Sequence, residues 1–587
     1  MTKLRAAAAI AAFLLLPAPA LAQDKEPTAV GTGGAAATVD ALATQAATDA
    51  LRHGANAVDA AVSAAGVLGV TEPYSCGIGG GGFMLIRTAD GKLTTIDSRE
   101  ESPATMHLDS FWEDGAPLPF NDARFSGLSA GVPGTVRGWD TALRRYGSWS
   151  LGRALQAGER VARDGFVVDQ TFFDQTLPNV DIFDDIPSTA AIYLDPDGTP
   201  RDVGSTIRNP DLAQTYERIG DLGPKGFYGG AVADAMVNAA ENPPTSPDAN
   251  HVWRPGLMTM QDVRDYAAQE RSPTHIGYRG LDVYGMGPPS SGGSTTGEAL
   301  NILEGYKHLG TDRTRAFHLF LESSRFSFAD RNAYLADPDF FDVPLTGLLS
   351  DGFAAERRAL IDPHQAATSS VAQGDPYPYN DQAGSSQPAA ANTATDERGR
   401  ETTHLVVSDR NGTIVSYTFT IESTGGNGIV VPGYGFLLNN ELTDFNFDSL
   451  THPNRADGGK RPRSSISPTI VLADGRPFLA VGSPGGSMII TTVLQVLLDR
   501  LDLGSTLPQA IAAPRASQRN TTATSAEPAF ITSDVRKELA SKYGQVFTET
   551  PEIGAVTGLE FLGGDRVLAA AEPTRRGGGS AMVEEPD

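Results

Sequence analysis

Apolar residues recur with two different spacings in the first hundred residues, and each spacing predicts a different element. Residues 39–52 and 57–70 carry apolar side chains every three to four positions, which predicts two helices. The apolar run 83–86 follows four glycines and predicts a buried strand, and 93–97 predicts the next strand. Residues 23–38 are small and polar, so we expect them to be loose.

Helical spacing dominates from residue 135 to residue 360, and the composition then changes. The clearest predicted helices are 135–146, 151–164, 230–240 and 315–335. Residues 364–400 are crowded with Pro, Ser, Ala, Gly, Asn and Asp and hold almost no large aliphatic side chain. This composition is typical of an exposed, mobile linker, either between domains or as a segment for processing.

A strong strand pattern begins abruptly after this segment, at Thr402. Residues 403–408 and 413–421 alternate as two strands, and Arg410-Asn411-Gly412 between them predicts a hairpin turn. Later apolar runs predict further strands at 435–438, 469–472, 478–481 and 559–562, and a helix at 489–501.

The N-terminus indicates export. Residues 1–22 combine basic Lys3 and Arg5, an apolar run and the small-x-small pattern Ala20-Leu21-Ala22, as in a cleaved signal peptide. We therefore expect a periplasmic or secreted protein without a stable membrane anchor, since the apolar run is too short to span a bilayer. The single cysteine, Cys76, allows no intrachain disulfide and is interpreted as a buried small residue.

Charge and residue spacing exclude several classes of function. The formal net charge of −25 argues against nucleic acids and anionic membranes as partners. No cluster of His, Cys, Asp or Glu has metal-ligand spacing, so neither a metal nor another cofactor is expected.

Thr402 stands where a threonine can become a catalytic nucleophile. A threonine hydroxyl needs a base, and the α-amine of an N-terminal threonine can supply it. That arrangement requires cleavage of the Glu401–Thr402 bond and a rigid strand behind the hydroxyl. The junction between linker and strand satisfies both demands, although many strands begin with threonine.

The residues around Thr402 resemble the gamma-glutamyltransferase (gamma-glutamyltranspeptidase) family, whose members are N-terminal-nucleophile hydrolases. The resemblance spans residues 36–565 in the family order. It rests on these motifs: Thr402-Thr403-His404-Leu405-Val406-Val407-Ser408-Asp409, Gly79-Gly80-Gly81-Gly82-Phe83-Met84, Asp97-Ser98-Arg99-Glu100, Ser129-Ala130-Gly131-Val132-Pro133-Gly134, Gly287-Pro288-Pro289-Ser290-Ser291-Gly292-Gly293, Asn439-Asn440-Glu441-Leu442-Thr443-Asp444-Phe445, Arg463-Ser464-Ser465-Ile466-Ser467-Pro468-Thr469 and Gly482-Ser483-Pro484-Gly485-Gly486-Ser487.

The resemblance implies a role for each matching residue. Thr402 would be the nucleophile in self-cleavage and turnover, with Thr420 hydrogen-bonded to it. Backbone N–H groups of Gly485 and Gly486 would hold the oxyanion. The substrate's α-carboxylate would lie on Arg99, Ser464 and Ser465, and its α-ammonium on Glu441 and Asp444; His404 is interpreted as structural.

The same resemblance implies fold and activity. The fold is expected to be α+β, a four-layer αββα sandwich in which fragments 23–401 and 402–587 form one domain as a heterodimer. The expected reaction is transfer or hydrolysis of the γ-glutamyl group of glutathione and related amides. Water, amino acids or dipeptides would be the acceptors.

Two departures concern the substrate pocket. Many family members carry Asn at the position of Glu422, and we hypothesise that Glu422 takes over part of the ammonium binding. Residues 445–463 are shorter than the lid of well-known members, which predicts a more open site.

Three other functions are alternatives. Gly127-Leu128-Ser129-Ala130-Gly131 fits the Gly-x-Ser-x-Gly motif of serine hydrolases, but the turn sequence after it does not suit a nucleophile elbow. Cephalosporin acylases resemble the family and cleave acyl groups that lack an α-amine; the presence of Arg99, Glu441 and Asp444 favours an amino-acid substrate. A secreted binding protein without catalysis is the third alternative.

Overall fold

A computed structural model describes residues 25–380 and 401–587. Its centre is a thirteen-stranded sheet in which all neighbouring strands are antiparallel. The strands are β1 (Thr28–Thr38), β2 (Gly81–Arg87), β3 (Leu93–Asp97), β4 (Gln269–Arg271), β5 (Thr274–Tyr278), β6 (Leu281–Gly285), β7 (Thr403–Ser408), β8 (Ile414–Thr420), β9 (Thr469–Ala473), β10 (Arg476–Gly482), β11 (Thr557–Gly563), β12 (Arg566–Ala571) and β13 (Ser580–Pro586). Their order is β4-β3-β2-β8-β7-β1-β12-β11-β10-β9-β6-β5, and β13 pairs with β1.

The sheet curls so that its two halves face each other. Ser416 on β8 donates a hydrogen bond to the carbonyl of Val481 on β10 (3.3 Å), and Thr557 on β11 donates one to His404 on β7 (3.4 Å). Between the halves lies an apolar layer that includes Val406. Alternate residues of each strand therefore point inward to this layer and outward to helices.

Helices cover both outer faces. One face carries α1 (Ala41–Arg52), α2 (Ala57–Thr71), α3 (Thr135–Tyr146) and α4 (Leu151–Asp164); the other carries α5 (Gly292–Glu304), α6 (Arg313–Tyr334) and α7 (Met488–Leu501). Leu405 and Val407, which flank the inward-facing Val406, belong to the first helical layer. The predicted four-layer αββα arrangement is confirmed.

Further α-helices and strands are found along the described chain. The helices are Phe120–Arg124, Gln170–Thr176, Val180–Phe183, Pro187–Tyr193, Pro210–Leu222, Lys225–Tyr228, Gly230–Glu241, Met260–Asp265, Leu345–Leu348, Asp351–Ala359, Leu507–Ala512, Pro528–Thr532 and Asp534–Tyr543, and the strands are Trp112–Glu113, Ala116–Pro117, Phe166–Val167, Thr206–Ile207, Ala516–Ser517, Thr524–Ala526 and Phe547–Glu549. Across residues 25–380 and 401–587, no helix is long and apolar enough to cross a membrane.

The expectation that residues 23–38 are loose is wrong from Thr28 onwards. Residues 28–38 form β1, which pairs with β7, β12 and β13. Its small residues are a packing requirement, because a Cβ added at Gly31 would lie 2.1 Å from the carbonyl oxygen of Glu585. The many small residues in 28–38 are therefore explained by the close approach of neighbouring backbones and not by mobility.

Two other segments differ from the sequence pattern. Residues 435–438 form no strand; Leu437 makes an isolated bridge to Val430. Residues 364–380 of the expected linker are packed, with the Gly374 N–H donating to Asp330 Oδ1 (2.6 Å) and Asn520 Oδ1 accepting from the Val371 N–H (2.7 Å). The rest of the linker, 381–400, and the expected signal peptide, 1–22, lie outside the described residues.

Candidate active site

The register of the β7–β8 hairpin brings Thr402 beside Thr420. Thr403 pairs with Phe419, so the residues one step outward are also opposite each other. Asp409 fixes the turn by accepting hydrogen bonds from the N–H groups of Asn411 (2.8 Å) and Thr413 (3.1 Å). The predicted hairpin is therefore confirmed, and its geometry sets the position of the threonine pair.

Thr402 has its hydroxyl beside the peptide bond that precedes it. Its Oγ1 donates to the carbonyl of Glu401 and lies 3.2 Å from Thr420 Oγ1. Thr420 Oγ1 donates to the same carbonyl (3.0 Å) and accepts from the N–H of Glu422 (2.8 Å). The chain is continuous at Glu401–Thr402, so this arrangement belongs to the uncut precursor, with the hydroxyl next to the carbonyl that self-cleavage would attack.

Gly485 and Gly486 lie at the start of α7. Their φ angles are +130° and +56°, which favour glycine, and their carbonyls accept the N–H groups of Met488 (3.2 Å) and Ile489 (3.0 Å). The positive end of the α7 helix dipole therefore lies at this turn, which suits a developing negative charge. Gly486 lines the cavity of Thr402, whereas Gly485 lines a neighbouring cavity.

Arg99 follows strand β3 and is almost completely buried. Its Nη1 pairs with Glu441 Oε1, and its Nη2 lies 2.5 Å from Asp444 Oδ2. Nε donates to the carbonyl of Pro462 (3.1 Å). Burial lowers the pKa of Arg99, but the neighbouring carboxylates Glu441 and Asp444 outweigh it and raise the pKa above its ordinary value. Arg99 is therefore a fixed positive charge.

Among the residues that line the cavity of Thr402, four carry a carboxyl group and Arg99 is the one cation. Burial raises the pKa of Glu100 to about 7 although Arg99 opposes the shift. Burial, with repulsion from Glu100 and Asp444, also raises the pKa of Glu441 well above its usual range although Arg99 lowers it. The pocket carries an excess of acidic groups, so it favours a ligand that brings a positive charge.

Glu422 is buried in the same pocket and its backbone adopts a φ of +80°, a region that favours Gly and Asn. Its Oε2 accepts from Ser423 Oγ (2.5 Å) and from Asn440 Nδ2, whereas its Oε1 has no hydrogen-bond partner among the described residues. Burial and repulsion from Asp444 and Glu441 raise its pKa to about 8. Glu422 thus holds a spare oxygen beside the other acidic groups, which is protonated at neutral pH and becomes an acceptor when the carboxyl ionises.

Ser464 and Ser465 line the same cavity as Thr402 and Arg99. The N–H of Ser464 donates to the carbonyl of Pro289 (3.0 Å), and its own carbonyl accepts from Ser291 Oγ (2.6 Å). Ser465 Oγ accepts from Arg331 Nη2 (2.7 Å). Neighbouring elements therefore hold both serines in place.

One cavity collects nine of the ten candidate catalytic and substrate-binding residues; Gly485 is the exception. Its lining includes Thr402, Thr420, Arg99, Glu422, Glu441, Asp444, Ser464, Ser465 and Gly486. Glu401, the residue before the expected cleavage point, lines it as well. The chain also matches the sequence profile of the Gamma-glutamyltranspeptidase family over residues 43–582.

The chain belongs to the gamma-glutamyltranspeptidase family. It is 38% identical over 501 residues to the glutathione hydrolase proenzyme of Escherichia coli, covering 82% of this chain and 80% of that protein. Identity to the glutathione hydrolase proenzyme of Pseudomonas sp. strain A14 is 35%, with 93% of each chain covered. The structure of cephalosporin acylase from Bacillus halodurans superposes with a TM-score of 0.82 at 26% identity, over 98% of this chain and 99% of that one.

The segment expected to replace a long lid, residues 445–463, packs against the rest of the chain. Asn454 Nδ2 donates to the carbonyl of Asp444 (2.8 Å), and Asn454 Oδ1 accepts from the N–H of Arg463 (2.8 Å). Phe447 is buried against Phe111, with ring centroids 5.0 Å apart. Asn454 thus connects Asp444 to the residue that precedes Ser464.

Two residues beside the site have no role predicted from the sequence: Glu100, which is buried next to Arg99, and Arg576, whose side chain is 10% exposed. Glu100 lies within a family motif that implies no role for it, and Arg576 lies outside every motif. Arg576 Nη1 donates to the carbonyl of Thr402 (2.7 Å) although 174 positions separate them in the chain. No local sequence pattern predicts such a contact. The turn sequence Pro-Thr-Arg-Arg-Gly-Gly at 573–578 is the one feature that could have drawn attention to Arg576.

His404, interpreted as structural, lies between the sheet layers. Its Nδ1 is 2.6 Å from Thr418 Oγ1, and burial lowers its pKa to about 3. The imidazole is therefore neutral, in keeping with that interpretation.

Proposed function

We propose that this chain is the precursor of a gamma-glutamyltransferase/hydrolase that cuts itself between Glu401 and Thr402. The observation that carries the proposal is the meeting of the Thr402–Thr420 pair with Arg99 and the acidic group in one cavity. Self-cleavage frees the α-amine of Thr402, whose ordinary pKa of about 7.7 to 8 suits a base at neutral pH.

The proposed turnover has two acyl transfers. The α-amine of Thr402 takes the hydroxyl proton while Oγ1 attacks the γ-carbonyl, and the proton then passes to the departing amine as its C–N bond breaks. The γ-glutamyl ester on Thr402 is next attacked by water, an amino acid or a dipeptide, whose proton returns to Oγ1 as the C–O bond breaks. Backbone N–H groups at Gly485 and Gly486 would stabilise the oxyanion in both steps.

In the empty pocket Arg99 pairs with Glu441 and Asp444, and we propose that the α-amino and α-carboxylate groups of the substrate replace these ion pairs. Arg99 would pass from Glu441 and Asp444 to the substrate's α-carboxylate, assisted by Ser464 and Ser465. Glu441 and Asp444, with the spare oxygen of Glu422, would receive the α-ammonium. A zwitterion satisfies both signs at once, which favours γ-glutamyl amides such as glutathione.

The products of self-cleavage are proposed to be fragments 23–401 and 402–587, joined as one αββα domain. Support comes from the sheet, where β1 of the first fragment pairs with β7, β12 and β13 of the second. The pattern at residues 1–22 supports export to the periplasm or medium, and N-terminal sequencing of the mature protein tests both cleavage points.

An acylase that accepts acyl groups without an α-amine is the second candidate. The favouring observation is the superposition on cephalosporin acylase over almost the whole chain. The buried Arg99–Glu441 pair is the argument against it, since an acyl group without an amine offers Glu441 no compensating charge.

The deciding experiment is turnover of γ-glutamyl p-nitroanilide by the purified mature protein, with and without a dipeptide acceptor. Release of p-nitroaniline that is lost in Thr402→Ala supports the proposal. Absence of release by a wild-type protein that has matured into two fragments would contradict it.

A further inference from the structure

A second cavity, of about 400 Å³, is lined by Glu401, the residue before the nucleophile, and Arg99 is not part of its lining. Its walls include Asp174, Gly485, Glu552 and Arg576. Glu401 lines both this cavity and that of Thr402, and among the described residues it alone does so. The residue that self-cleavage would detach from Thr402 is therefore the partition between the two spaces.

Arg576 holds that partition in place. Its Nη2 donates to Glu401 Oε2 (2.6 Å) and to Ser75 Oγ (2.6 Å), and its Nη1 donates to the carbonyl of Thr402 (2.7 Å). Its side chain is 10% exposed, and Glu72 lies 3.7 Å away. Burial lowers the pKa of Arg576, but Glu401, Glu72 and Glu552 outweigh it, so the guanidinium stays charged.

We propose that, in the cut enzyme, Arg576 binds the free carboxylate of the amino acid or peptide that leaves or accepts the γ-glutamyl group. The inference rests on the proposed function and extends it to the amine side of the reaction. In the uncut chain the Glu401 side chain fills the position that this carboxylate takes later.

Cleavage changes the attachment of Glu401. It becomes the last residue of the first fragment and loses its peptide bond to Thr402, while Arg576 and Gln175 Nε2 (3.2 Å) still hold its side chain. When it moves away, the two cavities join and Arg576 loses a carboxylate partner. A planar guanidinium recognises a replacement carboxylate through paired hydrogen bonds.

The reach from Arg576 to the reacting carbon suits small acceptors. Arg576 donates a hydrogen bond to the carbonyl of Thr402, the residue that carries the acyl group. An extended dipeptide spans about 7 Å. The acceptor's amine could therefore attack the ester while its carboxylate stays on Arg576. In that step the C–N bond forms, the C–Oγ bond breaks, and the amine proton returns to Thr402 Oγ1.

The test compares two acceptors that differ in one carboxylate, glycylglycine and glycylglycine amide, with γ-glutamyl p-nitroanilide as donor. Acceptors are compared at equal concentrations of free amine, so that their different amine pKa values do not enter. We expect wild-type kcat/KM to favour the acid about 10- to 100-fold, the range of a hydrogen bond to a charged group. Arg576→Gln should bring the acid/amide ratio close to one, and Arg576→Lys should leave part of it.

The ratio is measured within one preparation, so incomplete maturation of a variant does not alter it. Arg410→Gln is the matched control, because Arg410 is 56% exposed and pairs with Glu584 away from the site; its ratio should equal that of the wild type. A wild-type ratio of one, or an unchanged ratio in Arg576→Gln, overturns the inference. Failure of the wild type to hydrolyse the donor in water would instead overturn the proposed function.

Discussion

Removing the α-amine from the substrate is the sharpest test of the acidic pocket. Glutaryl p-nitroanilide differs from γ-glutamyl p-nitroanilide by this amine alone. Both can place a carboxylate on Arg99, and both must then separate Arg99 from Glu441 and Asp444. With the γ-glutamyl compound an ammonium compensates the two acids, whereas the glutaryl compound leaves them uncompensated.

The size of the penalty follows from burial. Breaking a buried ion pair and leaving one charge unpaired costs about 3 to 5 kcal/mol. Glu441 is 1% exposed, whereas Asp444 is 19% exposed and partly compensated by water. The lower end of the range therefore applies, and about 3 kcal/mol corresponds to a loss in kcat/KM of roughly a hundredfold.

The penalty should also depend on pH. Burial raises the pKa of Glu422 to about 8 and that of Glu100 to about 7, so both carboxyls hold protons at pH 6 and lose them by pH 9. A protonated pocket tolerates the glutaryl group better. The preference for the γ-glutamyl substrate should therefore widen as pH rises over this range, as long as the substrate amine stays charged.

The assay measures kcat/KM for both anilides between pH 6 and pH 9 with the same mature enzyme. Asp444→Asn, which removes one uncompensated charge, should narrow the preference. Equal rates for the two substrates at every pH would refute the reasoning and favour the acylase.

Four further outcomes are expected. Thr402→Ala should remain one full-length band on a denaturing gel, while Thr402→Ser, which keeps a hydroxyl, should still give two. Thr420→Val should slow maturation about tenfold, because it removes a hydrogen bond to Thr402 Oγ1 worth about 1 kcal/mol and another to the scissile carbonyl; maturation at the wild-type rate would contradict this. Arg99→Lys should weaken use of the γ-glutamyl donor by about 1.5 to 3 kcal/mol yet still mature, and unchanged kinetics would remove Arg99 from the site. Glu422→Gln should stabilise the protein by about 1 to 3 kcal/mol at pH 8 and have little effect at pH 4. The pKa of Glu422 is higher in the folded than in the unfolded protein, so this carboxyl destabilises the fold increasingly as pH rises from about 4.5 to 8. Equal melting temperatures of variant and wild type at pH 8 would contradict this prediction.

The sequence predicted those parts of the fold that repeat a local pattern. The hairpin at 403–420 and the helix at 151–164 carry clear alternation or helical spacing, and both are confirmed. Strand β1 escaped because its Gly and Ala residues lack alternation; their small size is needed where three other strands approach. That requirement exists only in three dimensions.

The site was predictable where motif and geometry coincide. Thr402 and Arg99 stand beside predicted strands and within motifs shared with the family. The contacts of Arg576 join positions 75, 402 and 576, and the raised pKa of Glu422 depends on burial beside other acids. Neither property belongs to a short stretch of sequence.

Strand β1 has a consequence for genetics. After cleavage before Thr402, hydrogen bonds in the centre of the sheet still join the two fragments. Residues 28–38 of the first fragment pair with strands 403–408, 566–571 and 580–586 of the second. Mature copies therefore cannot exchange halves without unfolding. Two alleles, one defective at Arg99 and the other at Asp444, should fail to complement each other once each has matured, because every copy keeps the halves with which it folded.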